Sequence, residues 1–245
     1  MSDVACDREP LYFRLGHAEE ANALVKQHHY SHRPPTNARC VGTWHRPGGL
    51  FGDAGEAVAA CVFASPPTRW SEEVLELVRL VRCPDVQAPL SGLISMTCRA
   101  VRVKRLADLL VSFADWTQKH HGGIYQAAGW NYAGLRSRSM DGVIVNGEFV
   151  PGRTAVARFG TRSPIKLRNE KGIQAEPHYD EGKHLYWRAV RPSGRKKATR
   201  LGLGLLPYPK PGAPEVSRET RGHTNAEGLG QFQHGAPIIC EGKDA

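Results

Sequence analysis

No stretch of this 245-residue chain approaches the roughly 18 to 20 consecutive apolar residues that a membrane-spanning helix needs. The opening MSDVACDREP has acids where a secretory leader has a basic and then an apolar stretch, so the protein is expected to stay in the cytoplasm, away from membranes. No CxxC pair occurs among the six cysteines, Cys6, Cys40, Cys61, Cys83, Cys98 and Cys240. Their scatter supports neither a disulfide framework nor a cysteine zinc site, and reduced, mostly buried thiols are expected. No internal repeat is visible. What remains, at 40% hydrophobic and 23% charged residues, is the composition of a globular chain long enough for one full core.

Charge is in excess and unevenly placed. Of the 33 basic and 24 acidic residues, 1–150 hold 16 against 15, 151–210 hold 14 against 4, and 211–245 hold 3 against 5. Almost the whole net charge of +9 therefore sits in sixty residues. A concentrated basic segment attracts polyanions by counterion release, which makes nucleic acid the first partner to consider beside a merely basic surface.

Apolar patterning predicts a strand over 11–15, then a helix through HAEEANALVKQHHY that the prolines of SHRPP terminate. GEAVAACVFASPP and VLELVRLVRCP read as strands ending at prolines. In PLSGLISMTCRAVRVKRL, Ser91 is a candidate cap for a helix whose Leu93, Ile94, Thr97, Cys98 and Val101 share one face. ADLLVSFAD is a strand closing on an acid, WTQKHHGG a short polar turn, and GIYQAAGW a further strand. VIVNGEFV, TAVARFGT and HLYWRAV look like short antiparallel strands. The expected fold class is therefore α/β or α+β, a mixed sheet with helices. The chain is expected to form one domain over 1–210, with its basic segment at 151–210 and a disordered tail at 211–245.

The densest polar grouping runs from Asp115 to Tyr132. Asp115 follows a buried strand, at the end where open α/β sheets place ligand-contacting groups, and His120, His121 and Tyr125 follow a few residues on. Each also has a plain structural use: Asp115 as a helix cap, His120 at a surface, Tyr125 in the core. A second grouping is HHYSHRPP at 28–35, whose histidines, tyrosine and arginine suit a metal, a phosphate or a base. One loop alone gives no full coordination shell, so a metal there needs Asp115 or Tyr125 to converge on it. A third pairs Arg79 and Arg82 with the helix start at Ser91-Gly92, an arrangement that suits an anion or merely an edge strand. This strand, loop and helix resemble the way GNAT acetyltransferases hold acetyl-CoA. The Q/R-x-x-G-x-G/A loop of that family is missing from VRCPDVQAPLSGLIS, which counts against acetyl-CoA as a cofactor.

The run LLVSFADWTQKHHGGIYQAAGWNYAG, with HHYSHRPP upstream and KHLYW and LPYPK downstream, resembles the Mom DNA-modification family of Mu-like bacteriophages over roughly residues 20–210. S-F-A-D followed by I-Y-Q-A is its most diagnostic part. Gly123 and Gly129 depart from the residues usual there. The resemblance implies a GNAT-like core that converts the exocyclic amine of adenine in double-stranded DNA to a carbamoylmethyl adduct, shielding phage DNA from host restriction enzymes. By position it implies His29, Tyr30, Arg82, Ser95, Asp115 and Tyr125 as catalytic candidates. It also implies a metal, iron being the candidate, on His29, Tyr30 and Asp115, and a small-molecule or carrier-borne donor. Arg188, Arg195, Lys196 and Lys197, in the basic segment, are the expected DNA-phosphate contacts. Two other readings stand beside this one: a GNAT-type N-acyltransferase acting on a protein or small amine, and a non-enzymatic DNA-binding protein.

Overall fold

The computed structural model describes residues 10–48, 54–66, 74–116 and 120–209, and these belong to one compact unit. The tail expected at 211–245 lies outside the described residues, as do Cys6 and Cys240. Among the described residues there are ten strands and six helices. They run β1 (Tyr12–Leu15), α1 (Ala18–His28), β2 (Ala38–Pro47), β3 (Ala54–Ala64), β4 (Val74–Arg82), α2 (Leu90–Val103), β5 (Leu109–Asp115) and α3 (Gly123–Ala127). Then come β6 (Asn131–Arg136), β7 (Met140–Val145), β8 (Glu148–Pro151), α4 (Gly152–Phe159), α5 (Pro164–Lys171), β9 (Ala175–Tyr179), β10 (Lys183–Ala189) and α6 (Pro192–Arg200). No helix among the described residues is long and apolar enough to cross a membrane.

Seven strands form a mixed sheet in the order β1-β2-β3-β4-β5-β10-β6, and β8-β7-β9 form a small second sheet. The first four strands of the large sheet are an antiparallel meander. Helix α2 crosses over to place β5 parallel to β4, the one parallel pair among the described strands. Long apolar runs suit β3 and β5 because both lie inside the sheet and are covered on both faces. Phe63, Trp130 and Tyr186 anchor the main core, and a smaller core under α6 gathers Val111, Leu185, Trp187 and Ala198. Cys40, Cys61, Cys83 and Cys98 are free, buried thiols, and burial raises the pKa of each.

Three expectations need correction. GIYQAAGW is not a strand: Gly122 and Gly129, at φ +78° and +72°, bracket a short helix, and β6 begins only at Asn131. TAVARFGT is helix α4, which follows Pro151 and stops at Gly160 (φ +78°). Its alternation concealed an i, i+4 pair, Ala155 and Phe159, that packs into the small sheet's core. Ser91 does not cap α2, because Pro89 occupies the cap position without a side-chain bond.

Candidate functional site

The register of the parallel pair creates the cleft. β4 and β5 pair from Val74↔Leu109 to Leu77↔Ser112 and no further. At that level β4 bulges, since Val62 and Phe63 of β3 face Arg79 and Leu77 and leave Val78 unmatched. A bulge bends its strand and ends the ladder locally, so the carboxyl ends of β4 and β5 splay apart. Between them opens a cleft of about 660 Å³, within the roughly 300–1,000 Å³ of small-molecule sites. Arg82 and Leu80 line it from β4, Phe113 and Asp115 from β5, His28, His29 and Tyr30 from the end of α1, and His120 to Tyr125 from the segment entering α3.

Ser112 is a pivot that sequence reasoning passed over, although it is the one polar side chain in LLVSFA. Its hydroxyl lies 3.1 Å from the Leu77 carbonyl and 2.9 Å from the Tyr125 hydroxyl. A hydroxyl has one proton to give, so Tyr125 donates to Ser112, which donates to Leu77 at the last rung before the splay. Tyr125 is 8% exposed, and burial pushes its phenol up to about 12. It stays protonated and ties α3 to the cleft floor. Behind it, Tyr186 donates to the His121 carbonyl at 2.6 Å and stacks obliquely on Tyr125, with ring centroids 5.2 Å apart.

At the mouth, Tyr30 is 56% exposed. Its ring lies 4.4 Å from that of His29 and 6.2 Å, edge-on, from that of His120. Burial of its hydroxyl end, then the nearby Asp115 carboxylate, raises the Tyr30 pKa. Asp115 terminates β5 opposite Lys183 in register, and its carbonyl accepts from the His120 amide at 3.1 Å. His29 Nδ1 accepts from the Ser31 amide at 3.1 Å and lies 2.9 Å from the Ser31 hydroxyl. The neutral ring therefore has its proton on Nε2. Burial, reinforced by Arg79, His32 and His120, lowers the His29 pKa to about 4.

Protonating His29 abolishes the acceptor that holds the Ser31 amide. Because the folded-state pKa lies below the ordinary 6.5, the unfolded chain takes up the proton first, and stability falls as pH drops from about 6.5 towards 4. Urea midpoints at pH 7 and pH 4.5 are expected to differ less in a His29→Asn variant than in the wild type. An unchanged difference would show that His29 does not set this dependence.

The structure thus brings His29, Tyr30, Arg82, Asp115 and Tyr125 to one cleft. Ser95, half-buried on α2, is not among the lining residues, because the face of that helix turned inward is Leu93, Ile94, Thr97, Cys98 and Val101. The basic set is divided. Arg188 donates to the Ala128 carbonyl at 2.7 Å, and Lys197 is 5% exposed, so both are turned to internal use rather than to a phosphate. Arg195 and Lys196 are exposed on α6. That helix follows β10, whose Ala189 pairs with Leu109 at the opposite end of β5 from Asp115. Six strand steps at about 3.3 Å each put it roughly 20 Å from the cleft end.

His29, Tyr30 and Asp115, the set expected for a metal, line the same cleft. Among the described residues no three His, Cys, Asp or Glu side chains gather at metal-binding distance. The loop before α2 does not fit a pyrophosphate cradle. Pro84 and Pro89 lack amide protons, Arg82 donates to the Ala88 carbonyl at 2.8 Å, and a Cβ on Gly92 would meet the Trp44 ring at 3.3 Å. That glycine serves the packing of α2 on β2.

A mixed sheet flanked by helices, with its cleft at a splayed parallel pair, makes this an α/β protein. Solved structures similar to it include the ribosomal-protein-S18-alanine N-acetyltransferase of Escherichia coli, 10% identical, covering 74% of this chain and 95% of that one at a TM-score of 0.43. An N-acetyltransferase of Staphylococcus aureus is 12% identical over 74% of this chain and 99% of its own, at 0.42. A Bacillus subtilis acetyltransferase solved with CoA is 15% identical over the same shares, at 0.40. None of the curated proteins matches the chain. The model of the Mom protein family matches residues 10–210, and the chain belongs to that family, the DNA-modification family that its motifs resemble.

Proposed function

We propose that this protein transfers a carbamoylmethyl group to the exocyclic amine of adenine in double-stranded DNA. The observation that supports the reading most is the convergence of Asp115, Tyr30, His29 and Tyr125 on one substrate-sized cleft, from the same motifs that resemble the family. The adenine amine is a weak nucleophile because its lone pair is delocalised into the ring, so a base must take its proton as the new bond forms. Asp115 is that base. The amine nitrogen bonds to the methylene carbon of an activated donor, the bond from that carbon to its leaving group breaks, and the amine proton passes to Asp115 and on to solvent. Inside a duplex the amine is reachable only at a groove edge, so the base is extruded into the cleft at a cost of a few kcal/mol. The exposed ring of Tyr30 gives it a stacking surface. Arg195 and Lys196 on α6 hold phosphates farther along the duplex.

The second reading, an N-acyltransferase using acetyl-CoA, draws on the β4-α2-β5 crossover. The lack of a glycine cradle weighs against it. Plasmid DNA from cells making the protein is expected to resist restriction enzymes whose sites contain adenine, and acetyl-CoA titrated into the purified protein is expected to give no saturable binding. Fully cleavable DNA together with tight acetyl-CoA binding would replace the first reading with the second.

A further inference from the structure

Beside the cleft mouth stands a group of cations that the proposed chemistry does not use. Arg33 lies in the loop after α1, Arg79 on the bulged part of β4, and Arg153 in the first turn of α4. Hydrogen bonds tie the three segments together. Arg33 Nη2 donates to the Thr154 hydroxyl at 2.7 Å, and Arg79 Nε donates to the Arg33 carbonyl at 2.8 Å. Arg153 is near enough to Arg79 and to Glu76 to act on both electrostatically, and Arg79 acts in the same way on Tyr30 and His29. Glu76 is the half-buried carboxylate facing this group, and Lys183, at its edge, is already paired with Asp180 at 3.3 Å. Arg33 and Arg153 are exposed. Set against the Glu76 and Asp115 carboxylates, the three guanidinium groups leave one positive charge in excess near the exposed ring of Tyr30.

This placement gives the insertion 140–179 a purpose. It departs from the main sheet after β6 and returns at β10, and Thr154 docks its first helix on the α1 exit loop. The basic helix α6 stands at the other end of β5. Guanidinium forks match phosphodiester oxygens in bidentate fashion, which suits them to gripping a backbone without reading its bases.

We infer that Arg33 and Arg153 form a phosphate clamp that holds the DNA backbone beside the nucleotide entering the cleft, with Arg79, whose guanidinium donates to the Arg33 and Val78 carbonyls, lying beneath them. The inference rests on the reading of the site as DNA-modifying. Arg33 and Arg153 grip the strand, and Arg79 sets the charge beneath it.

The test is the salt dependence of binding to a fluorescent 20-base-pair duplex, with modified deoxyadenosine measured in parallel by mass spectrometry. Removing Arg33 and Arg153 together by alanine is expected to lower the slope of log K against log salt by about two, close to one for each phosphate no longer gripped, and to reduce modification. Replacing both by lysine is expected to restore most of the slope. Arg153→Ala alone, on an exposed helical turn, is expected to lower it by about one and serves if the double variant fails to fold. A wild type that binds and modifies DNA beside variants of unchanged slope would overturn the clamp and leave the reading of the site intact. A wild type that neither binds nor modifies DNA would overturn that reading, and the clamp with it.

Discussion

Asp115→Asn is expected to reduce the yield of modified deoxyadenosine by a factor of about 10² or more, the usual scale of positioned general-base catalysis. Asparagine keeps the shape of the side chain at the end of β5, and the Asp115 carbonyl that receives the His120 amide belongs to the backbone, so the mouth keeps its form. What disappears is an acceptor for the amine proton. The loss should therefore fall on kcat, with DNA affinity and the thermal midpoint close to wild type. Binding that fails along with activity would assign Asp115 a part in holding the fold or the DNA instead. Tyr30 offers a second readout, because the Asp115 carboxylate contributes to raising its phenol pKa. In the asparagine variant Tyr30 should titrate lower than in the wild type.

Gly122→Ala is expected to be the most damaging single methyl group in the cleft. At φ +78° a non-glycine residue costs about 1–2 kcal/mol, and the new Cβ would overlap the ring of Tyr186. Tyr186 cannot retreat cheaply. It is fully buried, gives its hydroxyl proton to the His121 carbonyl, and accepts from Gln126 Nε2 at 3.2 Å. Overpacking of this kind costs about 1–3 kcal/mol, so the sum is roughly 2–5 kcal/mol, a large part of the roughly 5–15 kcal/mol by which domains are stable. Gly129→Ala separates the two contributions. Its φ is +72° and nothing stands within 4 Å of its Cβ position, so it should show the backbone cost alone. Equal shifts in the urea midpoints of the two variants would mean that Tyr186 yields freely and does not buttress the cleft floor.

Much of the large sheet was legible, because strands buried on both faces and stopped by prolines leave little choice: β3 ends at Ala64, shortly before Pro66, and β4 at Arg82, shortly before Pro84. The cleft's position followed from Asp115 closing an apolar run. The misread segments have local causes. I-Y-Q-A reads as a strand by composition, yet Tyr125 has to reach Ser112, and two left-handed glycines turn the segment into a helix to let it do so. In α4, Ala155 and Phe159 satisfy alternation and helical spacing equally well, and the tertiary core decided between them. Charge misled in another way. The sixty-residue excess was real, but a linear count does not reveal that Lys197 turns inward, that Arg188 caps the Ala128 carbonyl, or that α6 and α4 stand at different ends of the molecule. Arg33 and Arg153, 120 residues apart in sequence, become neighbours only through the Thr154 hydrogen bond.

The most direct test of the central claim is mass spectrometry of nucleosides from the DNA of cells making the wild-type protein or Asp115→Asn, both checked for expression and folding. The account predicts a deoxyadenosine heavier by one carbamoylmethyl group in the first sample and its near disappearance in the second. Unmodified deoxyadenosine in both samples, or equal modification in both, would contradict it.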